Sequence, residues 1–305
     1  MIMKISFATV AVILCITATS CHNTPMTASA AQGLIDTLLH DIPARVGIYA
    51  EDSDGRTLTY RADEMFPMLS TFKIPVAISV LKRTEVTHTP LSHRIAIAAG
   101  QMRPDTYSPM LKRHPQGWFD ATIDSLLSYA VSMSDNNACD ILIDYAGGIK
   151  AVAKTIEQAG IYPMTISATE EDMHRDIDNQ RINVCSPRAA AYMLDRLANG
   201  ELLTSASTEA LIRHMTRTET GIDKLHAGLP QHIVMAHKTG SSDRTPQGIK
   251  IADNDIGIVF LPDGRSYIIT VFIADSGLDD KANAALTAEI SRIVYEAFSE
   301  PHKDK

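Results

Sequence analysis

The chain has few cysteines, no basic cluster and no apolar run long enough to cross a membrane, and each shortage excludes something. Of 4 cysteines, Cys15 and Cys21 lie near the start, which leaves Cys139 and Cys185 for the folded part. Cys139 falls on the apolar side of a predicted helix, with Ala138, Ile141, Leu142 and Tyr145. It is expected as a buried free thiol rather than as half of a disulfide to Cys185. Neither cysteine has metal-ligand spacing, and the 11 histidines include no His-Glu-x-x-His. A zinc hydrolase is therefore disfavoured, and no metal or other cofactor is expected. No Gly-x-Ser-x-Gly occurs, which argues against a carboxylesterase. The net charge of −8 comes without a Lys/Arg cluster, so nucleic acid is not an expected partner. Internal repeats and low-complexity segments are absent.

The longest apolar stretch, Ile5 to Ile16, follows one positive charge at Lys4 and precedes the small polar segment Thr17-Ala-Thr-Ser20. It is too short for a stable membrane anchor and reads as a secretory signal over residues 1–20. Periplasmic export is expected. Two readings of the cut stand. Cys21 after Ala18-Thr19-Ser20 resembles a lipobox, which would leave a lipid anchor on Cys21; the other reading is plain cleavage near Ser20.

What is present is ordinary globular composition, 45% hydrophobic and 21% charged, enough for one large core or two modest lobes. Residues 27–41 read as an amphipathic helix. Val46–Ala50 and Thr57–Tyr60 read as a hairpin about Asp54-Gly55. Residues 68–213 are mostly helical in pattern, with long loops. Strand signals return at 233–236, 256–260 and 267–273, the last pair turned by Asp263-Gly264, and a helix closes the chain over 280–298. The expected fold is α+β. One antiparallel sheet is assembled from both chain ends with helices on its faces, beside an all-helical lobe. The lobes are expected as 22–66 with 214–305, and 67–213.

Ser70-Thr-Phe-Lys73 places a hydroxyl and an amine on one face of a predicted helix start, just after Pro67. A serine is a poor nucleophile until a base takes its proton, and a lysine in a buried cationic site can serve. The helix N-terminus aims N–H groups at a nearby oxyanion. The spacing is weak alone, because Ser79-Val-Leu-Lys82 has it too. At about 100° per residue Ser79 points opposite to Ser70, within an apolar run, so it reads as a packing serine beside a solvated Lys82. Two further motifs follow in order, Ser134-Asp135-Asn136 and Lys238-Thr239-Gly240. Ser134 fits a proton relay, or else an ordinary helix cap. Asn136 can donate to a substrate amide. Lys238 and Thr239 are expected to end a strand ahead of Gly240 and Ser241, with a free edge for an amide and a cation for a carboxylate, or else a solvent-facing lysine before a turn.

These three motifs in this order, with Pro67–Lys73, Tyr107-Ser-Pro109, Ser134–Ala138 and His237–Ser242, resemble a class A serine β-lactamase over residues 30–298. The resemblance implies a monomer acting on small β-lactam substrates. Ser70, Lys73 and Ser134 would be catalytic, and Tyr107, Asn136, Lys238, Thr239, Gly240 and Ser241 would bind substrate. It also implies a glutamate on an omega loop that activates water. In Ala168-Thr-Glu-Glu-Asp-Met-His174 the Glu-x-x-Met-His register selects Glu170, with Glu171 as a solvated neighbour. That register marks a subgroup with many cephalosporin-hydrolysing and extended-spectrum members.

Departures from the family pattern carry their own expectations. Ala168 and Asn183 stand where an Arg–Asp pair often closes the loop neck, so closure by charge is absent. His174 stands where an asparagine often lies beside the water. No strand arginine follows Lys238, and Lys224 is expected to supply that charge to a substrate carboxylate. A penicillin-binding D-Ala-D-Ala peptidase or a β-lactam sensor would share Ser70 and Lys73 but hold a long-lived acyl-enzyme; Glu170 favours the hydrolase.

Overall fold

The computed structural model describes residues 26–98 and 100–300, so the signal segment and Cys21 lie outside the described residues. Helix α1 (Ala28–Leu39) precedes the hairpin of β1 (Arg45–Asp52) and β2 (Thr57–Tyr60). The two-residue strand β3 (Phe66–Pro67) leads through a 3-10 turn, Leu69–Phe72, into α2 (Lys73–Thr87). Strand β4 (Arg94–Ile97), helix α3 (Pro109–Arg113) and strand β5 (Phe119–Thr122) follow, then α4 (Ile123–Leu127), α5 (Asn136–Ala146) and α6 (Ile149–Gln158). Strands β6 (Met164–Thr165) and β7 (Val184–Cys185) flank α7 (Glu170–Arg175). Helices α8 (Pro187–Ala198) and α9 (Ser205–Thr216) lead to β8 (Val234–Ser241), β9 (Lys250–Phe260) and β10 (Ser266–Ser276), and α10 (Asp280–Phe298) ends the chain.

The main sheet has the order β2-β1-β10-β9-β8, antiparallel throughout. It is the α+β arrangement expected, with strands from both chain ends in one sheet. Alternation along β10 sorts the two faces. Tyr267, Ile269, Val271 and Ile273 join α1 and α10 in one core. Ile268, Phe272 and Ala274 face the helical middle of the chain in the other. Each fully buried side chain of this size contributes about 1.5–3 kcal/mol. Among the described residues no helix is long and apolar enough to cross a membrane.

The structure alters three details of the sequence reading. Pro67, just ahead of the expected helix start, does not lead straight into a helical turn; it pairs with Val184 in the small sheet β3-β7-β6. Strand β8 does not end at Thr239 but runs through Ser241. The region 68–213 holds two short sheets, whose strands of two to four residues are too brief to show alternation. Cys139 and Cys185 are both buried free thiols.

Candidate active site

Ser70 sits in the 3-10 turn rather than in α2 itself, and the turn is held from β9 and from β8. Leu69, before it, takes φ 46°, a left-handed conformation that costs a branched-chain residue about 1–2 kcal/mol. Surrounding contacts hold that strain. Asn254 on β9 donates its amide to the carbonyls of Pro67 and Met68, at 2.8 and 3.1 Å. Gly240 on β8 lies so close that a Cβ there would come within 2.6 Å of the Met68 carbonyl and 3.1 Å of the Ser70 nitrogen. The glycine of the Lys-Thr-Gly motif is thus required by close approach of strand and turn. Neither Asn254 nor its role was visible in the sequence, because its partner lies 187 positions away.

Strand β8 is an edge, and its register shows which groups are free. Ser242 donates its N–H to Ala252 on β9. By alternation the N–H groups of Thr239 and Ser241 point away from β9, along the open edge beside Ser70.

Lys73 is fully buried and its amine has four oxygen neighbours. Ser70 Oγ lies at 3.0 Å, the Ser134 carbonyl at 2.7 Å, Asn136 Oδ1 at 2.7 Å and Glu170 Oε1 at 2.8 Å. Ser134, at φ 58°, is not the helix cap. Asp135 caps α5 by accepting from Ala138 N, and it also accepts from Ser108 Oγ and Met110 N. Ser134 is left free for Lys238, whose amine donates to its Oγ at 2.8 Å. Lys238 is wholly buried, not solvent-facing. Burial, with the nearby charge of Lys73, holds its ammonium well below the ordinary lysine range.

Glu170 and Glu171 separate cleanly. Glu170 is buried against Lys73, whereas Glu171 is exposed and paired with Arg175 at 2.9 Å. Asp140 accepts the backbone N–H groups of both, at 2.8 and 2.9 Å. Its own carboxyl is pushed up to about 7, first by burial and then by the charge of Glu170. A free aspartate titrates near 3.9, so the folded state holds this proton more tightly than the unfolded chain. Stability contributed by protonated Asp140 is therefore present at low pH and lost as pH rises from about 4 to about 7. Asp140→Asn is expected to flatten that slope, by up to about 1.4 kcal/mol per pH unit. Denaturant unfolding of both proteins at intervals between pH 4 and 8 checks it.

The loop neck is closed by a neutral side chain. Asn183 is wholly buried. Its Oδ1 accepts from Ser167 N and Ala168 N at 2.9 and 3.0 Å, and its Nδ2 donates to the Ala168 carbonyl at 2.8 Å. The absence of an ion pair leaves no open neck, because one amide satisfies three backbone groups. Asn183→Ala orphans all three, each at about 1–3 kcal/mol. A stability loss of about 3 kcal/mol or more is expected by denaturant unfolding, with hydrolysis falling as Glu170 loses its support. At the other end of the loop Gln180 and Asp243 exchange hydrogen bonds at 2.9 and 3.1 Å, tying it to the end of β8.

Two adjoining cavities, of about 320 and 220 Å³, share Ser70, Tyr107, Asn136 and Ser241. The larger opens toward Glu170 and His174; His174 Nε2 lies 3.4 Å from Asp105 across it. The smaller is lined by hydroxyls, Ser134, Thr220, Thr239 and Ser241 among them. Lys224 does not reach either. It is buried and ion-paired with Asp253, so the expectation of a free charge there is corrected. The sequence could not show this, since Asp253 belongs to the neighbouring strand. Lys224→Ala is expected to cost about 3–5 kcal/mol of stability by stranding Asp253, as any broken buried pair does. A change in KM alone, with unaltered unfolding, would contradict that reading. Arg244 is likewise engaged, with Asp280 at 2.5 Å.

Known proteins resemble the chain over most of its length. Residues 30–298 match the model of the Beta-lactamase enzyme family. A β-lactamase of Bacteroides uniformis is 42% identical over 271 residues, 88% of this chain and 92% of that protein. The crystal structure of a class A β-lactamase from Bacteroides cellulosilyticus superposes with a TM-score of 0.86 at 39% identity, over 90% of this chain and 99% of the other. That of the TLA-3 extended-spectrum β-lactamase gives 0.88 at 32% identity, over 90% of this chain and all of the other.

Proposed function

We propose a serine mechanism for this chain, which belongs to the class A β-lactamase family and is a β-lactam hydrolase. Ser70 attacks the lactam carbonyl, and the acyl-enzyme is hydrolysed by a water that Glu170 activates. The observation that carries this reading is the amine of Lys73 among four oxygens. An ammonium has three protons and cannot serve all four. Once one proton passes to Glu170, two remain for the Ser134 and Asn136 oxygens, and the lone pair faces Ser70 Oγ. Lys73 is then the base that Ser70 needs.

The developing oxyanion meets the N–H of Ser70 and the outward N–H of Ser241. Ser134 carries the proton to the leaving nitrogen, with Lys238 holding its oxygen and stabilising negative charge behind it. The substrate carboxylate is taken by the hydroxyls of the smaller cavity, with Lys238 behind them rather than Lys224 in front. Tyr107 and Asn136 flank the amide side. After acylation Glu170 faces the larger cavity, where a water would sit. The site lies between a sheet lobe, 22–66 with 214–305, and a helical lobe, 67–213. Cleavage of the first 20 residues would place the enzyme in the periplasm, free or held by lipid on Cys21.

Spectrophotometric assays with a penicillin, a cephalosporin and a D-alanyl-D-alanine peptide test this function. Turnover of the lactams with an inert peptide is expected; cleavage of the peptide with stalled lactam adducts would support a penicillin-binding peptidase instead.

A further inference from the structure

The second Ser-x-x-Lys, on α2, finds no use in the active site, yet its residues line a cavity of about 580 Å³, larger than either cavity at Ser70. This cavity lies among α2, the C-terminal end of α5, α6 and the end of α8. Ile78, Ala146, Ala159 and Leu202 supply apolar surface. Ser79 lines it too. Its residue is 4% exposed, and its Oγ is buried without a hydrogen-bond partner.

The rim is cationic on an acidic chain. Lys82, Arg83 and Arg196 face one carboxylate in the lining, Glu201, and that is held by Arg196 at 3.0 Å. Lys82 has only a loose contact with Glu85 at 4.0 Å, and Glu85 itself is engaged by Thr204. Arg83 stacks over Tyr145, with its guanidinium 5.4 Å from the ring centre, and is in no ion pair among the described residues. Beside it Val86 is 79% exposed.

We propose that this cavity is a second ligand site, distinct from the active site, for a small organic anion with an apolar body. The anionic head meets Arg83 and Lys82, and the body fills the space over Ile78, Ala159 and Leu202. A ligand there touches α2 about 9 Å along the helix from Lys73, by its rise per residue. The site is independent of the hydrolytic mechanism.

The test is a titration with 1-anilinonaphthalene-8-sulfonate, read by fluorescence, with stoichiometry from calorimetry. One saturable site is expected, with a Kd on the order of tens of micromolar. Arg83→Glu and Lys82→Glu, both at exposed positions, should each raise Kd about tenfold. Ala159→Trp should fill the cavity and abolish binding. Unchanged lactam hydrolysis in the two charge variants would show that the active site is intact. Equal affinity in the wild type and both charge variants, or non-saturating binding, would overturn the proposal. So would binding that survives Ala159→Trp in a protein of unchanged melting temperature.

Discussion

Ser70→Ala is expected to retain less than about a hundredth of the wild-type kcat while folding normally. A hundredfold loss corresponds to about 2.7 kcal/mol in the barrier, the least that removal of a nucleophile should cost. Folding should survive because the side chain contributes a single hydrogen bond, that with Lys73, while the turn is held by Asn254 and Gly240. Ser79→Ala is the control. Its hydroxyl lies on the far side of α2, and hydrolysis should be nearly unchanged. Steady-state assays and melting curves on the two variants decide between the two Ser-x-x-Lys motifs.

Glu170→Ala is expected to separate the two halves of the reaction. Water attack on the acyl-ester needs a base within reach, an effect worth about 10²–10⁴-fold. Attack by Ser70 retains Lys73, whose third proton can pass to solvent when Glu170 is absent, so acylation should slow but suffer less than deacylation, which loses its only base. The acyl-enzyme should therefore accumulate on Glu170→Ala and be seen as a mass increase. Glu171→Ala should turn over nearly normally, since its carboxylate points to Arg175 in solvent. Deacylation of Glu170→Ala at the wild-type rate would remove Glu170 from the water-activating role.

Much of this was legible because the chemistry is written in short motifs. Ser70 and Lys73 are three residues apart, which makes them neighbours on a turn or a helix alike, and they meet at 3.0 Å whatever the turn type. The hairpin at Asp54-Gly55 and the three C-terminal strands were clear from alternation and turn residues. What escaped was pairing across distance. Lys224 looked like a spare cation because Asp253 is 29 positions away. Ala168 and Asn183 looked like a missing ion pair, since sequence shows the loss of charge but not an amide serving three backbone groups. In sequence Asp140 is one acid on a helix; only folding places it under the two N–H groups of α7. In each case the partner is set by tertiary packing, on which local pattern carries no information.

Ser70 forms an acyl-enzyme that Glu170 allows to break down, and both halves can be watched at once. The most direct measurement mixes purified wild-type and Glu170→Ala proteins with an excess of a chromogenic cephalosporin. Turnovers per enzyme are counted while intact mass is sampled over time. The wild type should complete many turnovers with little adduct, and Glu170→Ala should stop near one equivalent with the adduct on Ser70. A wild type that itself stalls at one equivalent, or a Glu170→Ala protein that turns over freely without adduct, would contradict the account.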